Sequence, residues 1–331
     1  MVDLILVWII IALALIFDFG NGFNDAANSI STVVATRVLS LRNAVILAAF
    51  SNFIAAFIFG VAVATTIGKG IIEPSAVTLW IIFAGIIGAI IWVYVTTFLG
   101  LPISASHSLI GGYIGSALAA AGFSAVLWKG VFKIVIFIFI APLVGLIAAY
   151  IFFIVILLFV HKIPQSKVNS WFKKFQLVSV FAYSLSHGTN DAQKTMGIIA
   201  ITLFTAGLLG AAFHVPFWVV IVSHLTIALG TLAGGKKVVK TMGLRITKLM
   251  PIHGFCAETA GAGTIIASSI LGIPVSTTHV ISGSIIGVGA TKRISAIRWA
   301  IARKIVWAWF LTLPVSALFG ALTYFAVSFF I

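Results

Sequence analysis

Gly22-Phe23-Asn24-Asp25-Ala26 and Gly188-Thr189-Asn190-Asp191-Ala192 share the pattern G-x-N-D-A at an offset of 166 residues. A second pair is longer. Leu99-Gly100-Leu101-Pro102-Ile103-Ser104 aligns with Leu271-Gly272-Ile273-Pro274-Val275-Ser276 at an offset of 172, and at that offset His107 matches His279, Gly111 matches Gly283 and Gly115 matches Gly287. Both motifs recur in the same order. The shared residues are polar or helix-breaking rather than the common Leu and Ile, so chance is a poor explanation. The chain reads as an internal duplication.

The sequence around these motifs is suited to lipid. Hydrophobic residues make up 62% of the 331-residue chain and charged ones 8%, against roughly 45–50% and 25% in a soluble domain. That excludes soluble enzymes, DNA-binding modules and disordered proteins. Long apolar blocks without two-residue alternation mean helices, not a membrane β-barrel. A net charge of +14 does not point to nucleic acid, because most Lys and Arg fall in short breaks between apolar blocks, as in cytoplasmic loops. The single cysteine, Cys256, excludes a disulfide framework and a Cys-based metal site. Residues 4–17 look like the core of a signal peptide, but Asp3 stands where a basic segment belongs. They are read as the first membrane segment.

Charge placement sets the relative orientation of the two copies. The polar stretch 161–174 divides the chain into repeats 1–160 and 175–331. Arg37 and Arg42 have no charged counterpart near 204–209, and the weakly charged loop 67–74 faces 234–248, which carries Lys236, Lys237, Lys240, Arg245 and Lys248. By the positive-inside rule, equivalent loops lie on opposite sides of the membrane. The expected fold class is therefore an all-α polytopic membrane protein of two inverted-topology repeats, an architecture of secondary transporters. Both termini would be extracytoplasmic and the 161–174 linker cytoplasmic. A Gly and two polar residues at membrane depth predict a helix broken at each G-x-N-D-A. Each Gly-x-Pro predicts a helical hairpin, either re-entrant or fully spanning.

Four of the six acids, Asp18, Asp25, Asp191 and Glu258, sit inside apolar blocks. A carboxylate there costs roughly 2.5 kcal/mol or more unless it is paired or faces water. Asp25 and Asp191 occur at equivalent places. With Asn24, Asn28, Asn190 and Gln193 they offer hard oxygens suited to a cation such as Na⁺; the plain alternative is that they tie helices together. After each Gly-x-Pro come hydroxyls: Ser104, Ser106 and Ser108 in one copy, Ser276, Thr277 and Thr278 in the other. With Ala105 they would form the first turn of a helix starting inside the membrane. There, free N–H groups and partial positive charge favour an anion, phosphate above all. Ordinary N-capping needs one Ser, not a run of hydroxyls in both copies. His107 and His279 either orient hydroxyls or bond a backbone carbonyl. None of the seven histidines is read as paired four residues from a carboxylate, so no metal cluster is expected. Lys194 stands at the place of Asn28 and either balances Asp191 or faces the bundle edge. Glu258 aligns with Ile86 and breaks the repeat; it holds a second cation or pairs locally. Asp18 lies two turns before Asp25, with its role open.

The paired G-x-N-D and Pro-x-Ser-x-x-His elements resemble those of the inorganic phosphate transporter (Pit) family, across both halves. The resemblance implies an inverted-repeat helical carrier, a homodimer in the plasma (inner) membrane, that takes up phosphate with Na⁺ or protons. It implies no cofactor and no catalysis. It implies cation roles for Asn24, Asp25, Asn190, Asp191 and Gln193 and a phosphate role for the two hydroxyl clusters. Read from the residues themselves, Asn28 and Glu258 join the cation candidates and Gln193 is also a phosphate candidate, with His107 and His279 in support. Phe23 stands where the family commonly has Ala. Some similar carriers move sulfate. The amides around both aspartates favour Na⁺ over a proton, which requires only a titrating carboxylate. A membrane-embedded phospho-enzyme or a channel fits the duplicated polar residues less well.

Overall fold

The computed structural model describes residues 3–234 and 236–330. Among these, twelve α-helices follow one another: α1 Leu4–Ala35, α2 Leu41–Ile54, α3 Ala62–Lys69, α4 Leu79–Leu99, α5 Ala105–Ala121, α6 Trp128–Val160, α7 Gln165–Thr205, α8 Phe217–Ala233, α9 Lys236–Arg245, α10 Pro251–Ile270, α11 Thr277–Ala290 and α12 Trp299–Ser328. α1 and α7 carry the G-x-N-D-A motifs. α4–α5 and α10–α11 are hairpins joined at Gly-x-Pro. α6 and α12 each contain a proline, Pro142 and Pro314, at the same 172-residue offset, a repeat signal missed in the sequence.

Four helices, α1, α4, α6 and α12, are by themselves long and apolar enough to cross a membrane. The pairs α2–α3 and α8–α9 reach that standard only jointly and are bent by 82° and 75°. With 17 and 14 residues, α5 and α11 are about 26 and 21 Å long, short of the roughly 30 Å hydrocarbon layer. The second arm of each hairpin therefore does not cross alone.

Two expectations are corrected. The G-x-N-D-A motifs do not break their helices; α1 and α7 run through them without interruption. A mid-helix Gly costs only about 1 kcal/mol, and here it permits close packing. A Cβ on Gly22 would lie 2.3 Å from the Ile227 carbonyl oxygen, and one on Gly188 2.8 Å from Asn52 Cα. The polar stretch 161–174 is also not a loop throughout, because α7 starts at Gln165.

The halves are intertwined. α5 packs on α4 and on α12 of the second half, and α11 on α10 and on α6 of the first. The repeated glycines explain these crossings. Cβ atoms on Gly111 and Gly115 would stand 2.4 and 1.9 Å from carbonyl oxygens of Leu313 and Ala317. Those on Gly283 and Gly287 would meet Pro142 and Leu146 oxygens at 2.1 and 2.2 Å. This is the small-xxx-small packing by which helices approach in lipid. Two apolar clusters result. α1 enters one through Leu6–Phe17 and leaves through the other from Ala27 to Val33, while α7 runs from the second cluster at Val168–Tyr183 to the first at Ala192–Leu203. Between them, at the middle of both helices, lies a buried polar layer.

Candidate functional site

Each hairpin turns by the same chemistry. Gly100 and Gly272 adopt φ of 71° and 63°, a left-handed conformation that any Cβ disfavours. The following N–H groups close the helix end, Leu101 to Thr96 O at 3.0 Å and Ile273 to Ser268 O at 2.9 Å. This is the Schellman pattern. The chain then passes a proline and begins a new helix. Ser104 and Ser276 are N-caps, accepting from the N–H of His107 at 3.2 Å and His279 at 3.3 Å. The capping role foreseen as the plain alternative is thus real for these two. Their neighbours, Ser106 in one hairpin and Thr277 and Thr278 in the other, turn to the polar layer. The two helix starts are adjacent: the Thr278 hydroxyl donates to Ile103 O at 3.0 Å, and the His107 and His279 rings stand 4.9 Å apart, edge to face. His279 also stacks on Trp309 at 3.9 Å. The two histidines therefore pack against each other, and neither orients a capping hydroxyl through its ring.

The asparagines of the motif reach the hairpins symmetrically. Asn24 Nδ2 donates to Thr97 Oγ1 at 2.6 Å, and Asn190 Nδ2 to Ser269 Oγ at 2.9 Å. Thr97 and Ser269 are equivalent positions. Asn28 Nδ2 donates across to Thr278 Oγ1 at 2.9 Å and Thr277 Oγ1 at 3.4 Å. In all three cases the amide N–H side is engaged and the amide oxygen is not. Asn24 Oδ1, Asn28 Oδ1 and Asn190 Oδ1 are buried without a hydrogen-bond partner among the described residues. Buried polar atoms are normally satisfied. Oxygens held in place by their own amide nitrogens are the atoms a hard cation takes.

The aspartates differ. Asp25 accepts only long contacts, from Thr278 Oγ1 at 3.4 Å and Thr277 Oγ1 at 3.5 Å. Asp191 is fully engaged. Its Oδ2 lies 3.1 Å from His187 Nε2 and accepts from Thr277 Oγ1 at 3.0 Å, and its Oδ1 accepts from Lys194 Nζ. Lys194, 1% exposed, also donates to Ser106 Oγ and to Val275 O. Of its two readings, pairing with Asp191 is the one realised. Asp18 is buried and accepts from Thr195 Oγ1 at 2.9 Å, which joins the middle of α1 to α7.

His187 corrects the reading of the histidines. It is four residues before Asp191, pairs with it and lies 4.0 Å from Asp25 Oδ2. Asp25, His187 and Asp191 bring three ligand-type atoms within 4.8 Å of one another. The spacing was visible in the sequence. His187 matches Asn21 by the 166-residue offset, so it departs from the repeat and escaped a search for repeated residues.

Two more candidates lie elsewhere. Gln193 turns its oxygen to the N–H groups of Val63 at 2.8 Å and Ala64 at 3.3 Å, capping α3 instead of facing the hydroxyls. Glu258 accepts from Thr32, Gln176 and Ser179, a network separate from that of the aspartates. Ala105 is the first residue of α5 and contributes its backbone to the helix start.

The short bent helices cover the hairpin tips, each from the opposite half. Thr66 of α3 donates to Gly272 O at 2.8 Å, while Lys237 and Thr241 of α9 donate to Phe98 O at 3.1 Å and Gly100 O at 3.2 Å. The α4–α5 tip opens on a basic cavity of about 460 Å³, lined by Pro102, Lys237, Lys240, Arg245 and Lys304.

The chain is similar to known proteins along almost its whole length. A relative from Rhizobium meliloti (strain 1021), described as "Probable low-affinity inorganic phosphate transporter", is 55% identical over 96% of this chain and 95% of its own length. One from Bacillus subtilis (strain 168) with the same description is 42% identical over 98% of both chains. A solved structure titled "The sodium-dependent phosphate transporter" superposes with a TM-score of 0.90 over 98% of this chain and all of that one, at 28% identity. Residues 21–320 match the model of the phosphate transporter family. A helical chain with a buried polar layer is thus a transport protein and not an enzyme, and it belongs to the phosphate transporter family.

Proposed function

We propose that this chain imports inorganic phosphate by symport with Na⁺. The observation that carries the reading is the set of three buried amide oxygens, Asn24, Asn28 and Asn190, left unpartnered beside two helix N-termini that meet. The first feature suits a cation and the second an oxyanion. The name of the structurally similar sodium-dependent phosphate transporter supports the choice of both ions.

The cation binds at Asp25 with Asn24 and Asn28. Phosphate docks on the first turns of α5 and α11, at Ser106, Thr277 and Thr278 and the N–H groups behind them. A dianion and three buried aspartates repel one another strongly at low dielectric. The cation relieves that repulsion, so each ligand strengthens the binding of the other by the same factor. Alternating access then moves the two intertwined units about the polar layer. The basic cavity at the α4–α5 tip is the cytoplasmic mouth on this reading, lined by positive charge along the path by which the anion leaves. The same reading has α9 inside and both termini outside, in a bacterial-type plasma membrane, with the homodimer that the family resemblance implies.

Radiolabelled phosphate uptake into proteoliposomes tests the reading. An inward Na⁺ gradient should drive accumulation above equilibrium. Uptake that ignores Na⁺ and follows a pH gradient would replace sodium by protons at the same residues. Uptake of sulfate but not phosphate would overturn the substrate assignment.

A further inference from the structure

Residues 21–28 and 187–194 are aligned copies that differ at four positions, the last of them Asn28 against Lys194. The two side chains do equivalent things. Asn28 Nδ2 crosses to Thr278 Oγ1 in the hairpin of the other half. Lys194 Nζ crosses to Ser106 Oγ, again in the hairpin of the other half. Ser106 and Thr278 are themselves equivalent. The geometry is repeated while the charge is not. The ammonium also sits on Asp191 and on the Val275 carbonyl, so it holds three oxygens in a place that is sealed from solvent.

We infer that Lys194 is a tethered counter-cation, taking in the second half the place that a free monovalent cation takes beside Asp25 in the first. Asp191 has both oxygens occupied by Lys194, His187 and Thr277. Asp25 has only the long contacts from two hydroxyls, and the Asn28 oxygen next to it is free. An ammonium and a bound alkali ion neutralise a carboxylate equally, but only the second travels with the substrate. The carrier therefore co-binds one cation fewer at its centre than a symmetrical version with Asn at both positions. Lys194 sets the coupling ratio, and it keeps positive charge beside the anion site in every state of the cycle.

This rests on the phosphate-symport reading, and the experiment separates the two. Phosphate binding to purified protein in detergent is measured by isothermal titration as a function of cation concentration, with Na⁺ at fixed pH and then with pH at fixed Na⁺. The slope of log affinity against log cation concentration counts the cations bound with the anion. The wild-type chain should give a slope of about one for the coupling ion, and K194N should raise it by about one, with at least tenfold weaker phosphate binding at low cation. N28K should lower the slope towards zero, and K194R should keep the wild-type value. Absence of phosphate binding under every cation would sink the transport assignment itself. A wild-type slope of two or more overturns the tethered-cation proposal alone, whether or not the variants fold. So do unchanged slopes in K194N and N28K.

Discussion

The two copies of the polar segment, Asn21–Asn28 and His187–Lys194, occupy matching places in α1 and α7 but neutralise their aspartates differently. The second copy carries its own partners: the His187 ring one turn before Asp191 and the Lys194 ammonium one turn after. The first has Asn at both places, and Asp25 relies on two distant hydroxyls. The backbone geometry is symmetric, and point differences separate the two aspartates. One carboxylate is closed into the structure, and the other has only long contacts. Equivalence of backbone position is therefore no guide to equivalence of role where a single side chain changes the local charge.

Removing either carboxylate breaks the comparison in different ways. Asp191→Asn should have the largest effect. It strands the Lys194 ammonium, and a buried charge that loses its partner costs about 3–5 kcal/mol. Thermal unfolding in detergent should drop sharply and uptake should vanish. The double variant Asp191→Asn with Lys194→Asn should recover much of the stability, a coupling that two independent residues would not give. Asp25→Asn should leave stability near that of the wild type but reduce uptake about a hundredfold, roughly 2.7 kcal/mol, with loss of cation dependence in proteoliposomes.

Smaller changes sharpen the symmetry rather than break it. Gly283→Ala places a methyl against the Pro142 carbonyl oxygen and should cost about 1–3 kcal/mol by overpacking. Gly263→Ala, with open space around it, should leave the melting temperature unchanged or slightly raised. Ser106→Ala and Thr278→Ala should each raise the KM for phosphate about fivefold, near 1 kcal/mol for one hydrogen bond. A much larger effect at Ser106 than at Thr278 would show that Lys194 also depends on the hydroxyl it contacts.

Much of this was legible from residues alone. Repeated Gly-x-Pro followed by Ser gave hairpins whose second helices start at a capped serine, because glycine, proline and an N-cap act locally. The repeated glycines at 111, 115, 283 and 287 gave duplication, though not the partners they pack against, α12 and α6, since those contacts lie far along the chain. The G-x-N-D-A segments were misread as helix breaks. A glycine and two amides weaken a helix in isolation, but here neighbouring helices engage them: Ile227 and Asn52 close on the glycines, and Thr97 and Ser269 on the asparagines. Gln193 was misplaced for a similar reason. One residue along a helix turns a side chain by about 100°, so Gln193 faces α3 while Asn190 and Lys194 face the hairpins.

Composition alone determined that the chain lives in lipid, because 62% apolar residues exceed what water tolerates. The paired motifs pointed to one plan used twice, because such costly residues do not recur by accident. What only the tertiary structure decided is which hydroxyl faces which carboxylate, that the halves interlock instead of lying side by side, and that Lys194 rather than open solvent answers Asp191. Those outcomes depend on crossings between α1, α7 and the two hairpins. A linear sequence carries the residues that make such crossings possible, but charges come to neutralise each other only when helices remote in the chain bring them within a few ångströms.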